Sequence, residues 1–344
     1  MQNISSVGPE KSKSLPITFE DILRARERLR GIAIETPLIE SAQLNEIAGR
    51  RIFLKLESLQ RGGSFKFRGA YNRLAQLASE HGSNVVAWSS GNHGRAVAAA
   101  GRLMGIDVTL VMPSDAPEVK KAGARAEGAR IVDYDRAHDD REAIARRIAA
   151  TTNAVIVPSF DDPHIIAGQG TVALEAFAQC RAQGIVPKWL LVPCGGGGLT
   201  AGCALASAYD QPQLRVLAVE PSGFDDTARS LQAGERTRNT TLDGNICDGL
   251  LAPSPGRLTF DINRRFLNGA ISVGEGEVAR AMRFAFEELK LVVEPSGAVG
   301  LAAVMDRKLA MDESSDSSVI VILTGGNVDL SRFSAILEAD LPGH

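Results

Sequence analysis

In Ser64-Phe65-Lys66-Phe67-Arg68-Gly69-Ala70 one lysine stands between two phenylalanines, where a loop runs into a helix. An ammonium there is poorly solvated, and desolvation lowers its pKa. The free amine is the form that attacks an aldehyde to make a Schiff base. The same residues also suit a surface lysine whose stem covers apolar neighbours. Chemistry at Lys66 therefore needs partners elsewhere in the chain.

Three further stretches offer them. Gly195-Gly196-Gly197-Gly198-Leu199 lets the backbone approach a ligand closely, and the helix that follows presents free N–H groups and a positive dipole end to a phosphate. No Lys-Ser/Thr follows, so it is not a Walker P-loop. Glu220 lies about twenty residues on, which keeps a nicotinamide-binding oxidoreductase as a rival reading. A glycine turn that binds nothing is another. Ser89-Ser90-Gly91-Asn92-His93-Gly94 offers N–H groups, two hydroxyls and an amide at a helix N-terminus, which suits a substrate carboxylate. Asn92 can also bond a phenolic oxygen. His93 reads equally as a catalytic base and as a histidine fixed at a turn. Thr324, in Thr324-Gly325-Gly326-Asn327, carries a hydroxyl that can meet an aromatic nitrogen without holding it protonated as a carboxylate would. It also reads as an ordinary turn threonine.

The elements that must position these residues alternate regularly. Apolar runs predict strands at 51–56, 85–88, 108–112, 130–134, 154–157, 189–192, 214–219 and 319–323. Helices are predicted at 18–30, 69–78, 95–103, 117–123, 139–150, 170–182, 199–209, 276–289 and 296–309. Thr18 and Asp21 mark the first helix start. Residues 36–39 read as extended, 222–270 as irregular and 312–318 as a polar loop. Strand–helix alternation implies parallel strands with right-handed crossovers, and ligands beyond the strands' carboxyl ends. The four stretches fall at or beside such ends.

At 344 residues the chain is too long for one small core. Residues 82–160 are expected to form a small α/β domain, 18–81 and 161–344 a large one, and 1–17 a loose tail without the apolar core of a signal peptide. No regulatory domain is expected after residue 344. A net charge of −3 and only 5% aromatic residues argue against nucleic-acid and membrane partners. Cys180, Cys194, Cys203 and Cys247 form no CxxC pair or metal spacing, which fits a reduced, cytoplasmic protein.

A lysine, a phosphate cup, a phenol-oxygen partner and a ring-nitrogen partner together describe a pyridoxal phosphate site. The four motifs occur in the order found in the fold-type II pyridoxal-phosphate family, and the chain resembles its serine/threonine dehydratases and serine racemases from about residue 18 to 336. The resemblance implies two open, mainly parallel twisted sheets with flanking helices, the tryptophan synthase beta-like architecture, in a homodimer. It implies that Lys66 is the Schiff-base lysine and base on one face, with Ser90 as the acid/base on the other. Phe65 would pack on the cofactor ring, Asn92 meet its oxygen, Thr324 its nitrogen, and residues 195–199 its phosphate. Ser89, Ser90, Gly91, Asn92 and His93 would bind substrate. Arg141 and Asp248 match positions near the substrate pocket in relatives. An arginine there favours a second carboxylate, although Arg141 also reads as a surface helix arginine. Glu220, the Phe224 carbonyl and Asp226 match a divalent-cation site for Mg²⁺ or Ca²⁺, or form a solvated acidic turn.

The implied reaction belongs to amino-acid metabolism: an ammonia-lyase converts threonine, serine or 3-hydroxyaspartate to a 2-oxo acid and ammonia by α,β-elimination. A serine or aspartate racemase is the alternative on the same scaffold. A nicotinamide-dependent oxidoreductase and a silent cofactor-binding protein are the alternatives of other classes.

Overall fold

The computed structural model describes residues 14–80, 84–116, 118–241, 243–309 and 318–339. Their strands are β1 (Leu38–Glu40), β2 (Ile52–Leu56), β3 (Asn84–Trp88), β4 (Asp107–Pro113), β5 (Arg130–Tyr134), β6 (Val155–Ile156), β7 (Pro187–Pro193), β8 (Arg215–Pro221), β9 (Gly269–Val273) and β10 (Ser318–Leu323). One sheet runs β1-β2-β10-β7-β8-β9 and the other β5-β4-β3-β6. Every pairing is parallel except that of β1 with β2. This is the expected architecture of two open, mainly parallel sheets with flanking helices.

The larger sheet is covered on both faces, so its central strands are apolar throughout. Along β10, Val319, Val321 and Leu323 pack with helices Glu275–Glu287 and Pro295–Met305. Ile320 and Ile322 pack on the opposite face with helices Pro163–Ala182 and Gly198–Asp210. The smaller sheet shares its core with Phe67, Ala70 and Leu74 of helix Lys66–Glu80. The lysine helix thus lies between the two sheets. A Cβ on its Gly69 would stand 2.4 Å from Gln169 Nε2, so glycine is what lets it lie against helix Pro163–Ala182.

Several elements differ from expectation. Ile17 is already buried, so packing begins before Thr18. Residues 1–13 of the tail and residues 312–317 lie outside the described residues. Within the stretch expected to be irregular, helices Asp226–Ala233 and Arg257–Phe266 form, and β9 begins. The second helix has no local cap: its Arg257, Leu258 and Thr259 N–H groups donate to the carboxylate of Asp161. β9 is a half-buried edge strand, without the apolar run or clean alternation that marks a strand in sequence. Helices Ala42–Ala48 and Leu330–Glu338 were not foreseen either.

A buried ionic cluster ties the lysine helix down. Arg68 Nε and Nη2 donate to the two Glu57 carboxylate oxygens at 2.8 and 2.7 Å, and its Nη1 and Nη2 donate to Glu175 at 2.9 Å each. Lys55 Nζ donates to Glu175 at 2.6 Å and to the Thr36 carbonyl. Thr36 Oγ1 donates to Glu57. Arg68, Lys55 and Glu57 are fully enclosed. Removing one partner strands a buried charge, which costs about 3–5 kcal/mol. Glu57→Gln should lower the urea unfolding free energy by about that amount, whereas Arg125→Gln, at an exposed pair with Glu118, should change it little. An unchanged unfolding midpoint for Glu57→Gln would deny the cluster structural weight.

Candidate active site

The lysine loop is stitched to the loop after β10. Ser64 and Gly325 form an antiparallel bridge, the Phe65 N–H donates to the Thr324 carbonyl at 3.0 Å, and the Gly326 N–H donates to the Gly63 carbonyl at 3.0 Å. Lys66 opens its helix, and its Nζ donates to the Ser159 carbonyl at 2.8 Å. It lies 5.2 Å from the centroid of the Phe65 ring. Phe67 is turned into the core, so only one of the two flanking phenylalanines faces the amine. Burial lowers the Lys66 pKa to about 8, although the nearby Glu294 acts to raise it.

Phe160, the residue after Ser159, brings the glycine cup to the same place. A Cβ on Gly196 or Gly198 would meet its atoms at 2.4 or 2.9 Å. Gly197 adopts φ +90° and caps helix Gly198–Asp210 with no side chain. The first N–H groups of that helix are therefore open to an anion. Leu199 is buried in the core behind the cup. Ser159 and Phe160 were not singled out from sequence, because nothing local marks a carbonyl or a ring that acts on residues so distant.

The Ser89 to Gly94 stretch begins a second uncapped helix, Asn92–Met104, with Gly91 at its N-cap. Ser89 Oγ accepts the Gly91 N–H at 3.1 Å, while Ser90 is half-buried. His93 is buried, and its Nε2 bonds the Val157 carbonyl at 2.9 Å. A carbonyl only accepts, so Nε2 carries the proton. Burial, with the charge of Lys66, lowers the His93 pKa to about 3. His93 is thus a neutral ring that holds the end of the smaller sheet to this helix. Asn92 Nδ2 donates to Glu294 Oε1 at 2.6 Å, and Asn92 Oδ1 accepts from Asn327 Nδ2 at 2.7 Å. The Thr324 hydroxyl has no hydrogen-bond partner among the described residues, so it is available to a ligand.

Two expected residues make no hydrogen bond to this cluster among the described residues. Asp248 pairs with Arg332 at 2.8 Å and opens a short turn, Asp248–Leu250, that backs Gly195. Arg141 is exposed at the first position of helix Arg141–Thr152, with no hydrogen bond or ion pair among the described residues. A cavity lined by Trp189, Arg215 and Lys308 lies at the opposite, amino ends of the strands and contains none of the residues above.

Glu220 is the penultimate residue of β8, and its two carboxylate oxygens accept the Thr227 and Ala228 N–H groups at 2.9 Å each. Asp226 Oδ1 accepts from Asn239 Nδ2, and Asp226 Oδ2 is buried without a partner. Burial and the charge of Asp226 raise the Glu220 pKa to about 8. Phe224 is buried between them in sequence. One bare carboxylate oxygen thus lies beside a second buried carboxylate, while among the described residues no three His, Cys, Asp or Glu side chains gather as a metal site.

The chain matches the family described as "Pyridoxal-phosphate dependent enzyme" over residues 29–325. It is 40% identical over 322 residues to an L-threo-3-hydroxyaspartate ammonia-lyase of Pseudomonas sp., covering 93% of this chain and 98% of the relative. It is 37% identical to an L-threonine ammonia-lyase of Thermotoga maritima, covering 94% of this chain and 79% of that one. The solved structure of maize serine racemase superposes with a TM-score of 0.86 at 36% identity, covering 92% of this chain and 95% of the other. With the amine, the uncapped glycine cup and the free Thr324 hydroxyl at the strand ends, these similarities identify the chain as a fold-type II pyridoxal-phosphate-dependent enzyme of the serine/threonine dehydratase family.

Proposed function

We propose that this carbon–oxygen lyase releases a 2-oxo acid and ammonia from a 3-hydroxy amino acid, and that 3-hydroxyaspartate is its preferred substrate. The observation that carries the lyase reading is the half-buried Lys66 amine, held beside an uncapped glycine cup and lowered to about pKa 8. The 40% identity to a 3-hydroxyaspartate ammonia-lyase supports the substrate. Arg141, exposed at the start of helix Arg141–Thr152, is assigned by resemblance to the second carboxylate of that substrate.

Pyridoxal phosphate, when bound, supplies the aldehyde and the electron sink at Cα. Lys66 would carry it and would take the Cα proton. The N–H groups at residues 195–199 would hold its phosphate, Phe65 would pack on its ring, and Asn92 would meet its ring oxygen. Thr324 offers the ring nitrogen a neutral hydroxyl, which does not hold that nitrogen protonated. Ser89, Ser90 and the open start of helix Asn92–Met104 receive the substrate α-carboxylate. Ser90 is assigned the face opposite Lys66, where it would return a proton in a racemase. Asp248 is assigned to the pocket rim, and His93 to holding the loop that binds substrate.

Glu220, the Phe224 carbonyl and Asp226 are proposed to hold Mg²⁺ or Ca²⁺. Residues 18–81 and 161–344 are assigned to the cofactor-binding domain and 82–160 to the smaller one; the smaller sheet draws its strands wholly from the latter. A cytoplasmic homodimer completes the proposal. Four buried free thiols suit a reducing compartment, and exposed Phe286 and Leu330 beside Phe333 offer an apolar contact. Among the described residues no helix is long and apolar enough to cross a membrane.

Three outcomes are expected. Purified enzyme should release 2-oxo acid from an isomer of 3-hydroxyaspartate faster than from serine or threonine, and Lys66→Ala should abolish release. Enzyme that holds cofactor yet only interconverts enantiomers would sink the lyase assignment in favour of the racemase. Capture of pyridoxal phosphate by the apoenzyme should quicken about tenfold per pH unit up to pH about 8 and level off above, because only the neutral amine reacts. A bend near the ordinary lysine value of 10.5 would deny the lowered pKa. Finally, Mg²⁺ or Ca²⁺ should raise the melting temperature and a chelator reverse it, while Asp226→Asn should remove the response. A cation response that survives in Asp226→Asn puts the ion elsewhere.

A further inference from the structure

The amide of Asn92 belongs to a hydrogen-bond chain whose direction is fixed. Arg95 can only donate, and its Nη1 donates to Asn327 Oδ1 at 2.8 Å. The Gly62 carbonyl can only accept, and it takes Asn327 Nδ2 at 2.7 Å. These two partners set the orientation of Asn327. Its Nδ2 also donates to Asn92 Oδ1, so Asn92 must present Nδ2 on its other side. That Nδ2 donates to Glu294 Oε1 at 2.6 Å. The chain runs from a guanidinium through two amides to a carboxylate, and one Nδ2 hydrogen of Asn92 is left over.

Glu294 is an unusual terminus. It is only 7% exposed and sits at the N-cap of helix Pro295–Met305. Its own N–H donates to the Gly325 carbonyl at 3.0 Å, and a Cβ on Gly325 would stand 2.2 Å from its Oε1. No cation hydrogen-bonds its carboxylate among the described residues; the Asn92 amide is its one side-chain partner there. The charges that face it are more distant. They are Lys66 from the lysine helix, Lys120 from helix Glu118–Ala126, Arg332 from helix Leu330–Glu338 and Asp248 from the turn Asp248–Leu250, and the buried Cys247 thiol, itself raised by burial, also lies within reach of its charge. A carboxylate buried without a paired cation weakens a fold, so its place needs another reason.

We propose that Glu294 is a positioning residue: it takes one Nδ2 hydrogen of Asn92 and so holds the other ready for the ring oxygen of the cofactor. The proposal rests on the pyridoxal-phosphate reading of the site. It has a consequence for pH. Ionised Glu294 accepts a charge-assisted bond and locks the amide. Protonated Glu294 brings a hydrogen that must point away from a donor, so the amide loosens. Burial raises Glu294 to about pKa 7, with the Asn92 bond opposing the rise, so the lock forms as pH climbs through that value.

The test follows the visible absorbance of bound cofactor against pH in the holoenzyme, together with cofactor affinity measured by titrating apoenzyme with pyridoxal phosphate. Wild type should show a titration step near pH 7. Glu294→Gln, which can accept from Asn92 but cannot ionise, should keep its cofactor and lose the step. Glu294→Ala and Asn92→Ala should each weaken cofactor binding about tenfold, and the double variant should be no worse than Asn92→Ala alone. A step that persists unchanged in Glu294→Gln, or losses that add independently in the double variant, would overturn the proposal. Because Glu294→Gln nearly preserves shape, its result does not depend on whether Glu294→Ala folds. Wild-type protein that takes up no cofactor would instead overturn the reading beneath the proposal, and the proposal with it.

Discussion

The site depends on how Arg68 is held. Two residues after Lys66, its guanidinium is forked between Glu57 and Glu175, and Lys55 completes a cluster of two cations and two anions. The cluster joins β2, the turn after it, the lysine helix and helix Pro163–Ala182. Buried ion pairs add little net stability over a well-packed apolar replacement. Their effect here is geometric. A planar fork that meets two carboxylates admits one arrangement of the four elements. Burial alone would raise Glu175, but Arg68 and Lys55 overcome it and hold the carboxylate ionised. The start of the lysine helix, and so the direction of Lys66, follows from that arrangement.

The second constraint is what the fold leaves open. Among the described residues four helices begin after a glycine N-cap. Two of them are served by carboxylates: Asp161 accepts three N–H groups of helix Arg257–Phe266, and Glu277 closes the start of helix Glu275–Glu287. Helices Asn92–Met104 and Gly198–Asp210 receive no side-chain cap. Their first N–H groups need acceptors from elsewhere. Both begin at the carboxyl ends of strands, β3 and β7, where an α/β protein binds its ligands. Anion recognition is thus built from dipoles that the fold has left without partners.

Much of this could be read from the sequence, and the reasons differ by element. β2, β4, β7, β8 and β10 are buried on both faces, so their apolar runs stand out. Lys66, the glycine cup and Thr324 are legible because each chemistry is confined to a few adjacent residues. β9 was not, because an edge strand half-exposed on both faces carries neither pattern. Helix Arg257–Phe266 was not, because its cap comes from Asp161, far back in the chain. Glu294 reads in sequence as a glutamate before a proline; its partner Asn92 is 202 positions away, and only folding brings the two together. The partner of His93, the Val157 carbonyl, is 64 positions away and likewise comes into view only on folding.

The titratable groups around the lysine share one tendency. Burial moves Lys66 down to about 8, Glu294 up to about 7 and His93 down to about 3, each toward its neutral form. A site arranged this way holds its charges less firmly than the same residues would in water, so that the amine and the carboxyl both titrate close to neutral pH. The cup from Gly195 to Leu199 contains no Lys or Arg, so helix N–H groups rather than a cation are left to balance a phosphate. A cationic side chain in the cup would lie close to Lys66 and, like any neighbouring positive charge, would push its pKa lower still. An ionised carboxylate hydrogen-bonded to the amine would do the opposite and hold it protonated. Among the described residues the structure does neither: Lys66 meets a neutral carbonyl, Ser159, and Glu294, the acid whose charge acts on it, is engaged by Asn92. The amine is left within reach of neutrality at physiological pH, the condition under which it can act both as a nucleophile toward an aldehyde and as a base toward a Cα proton.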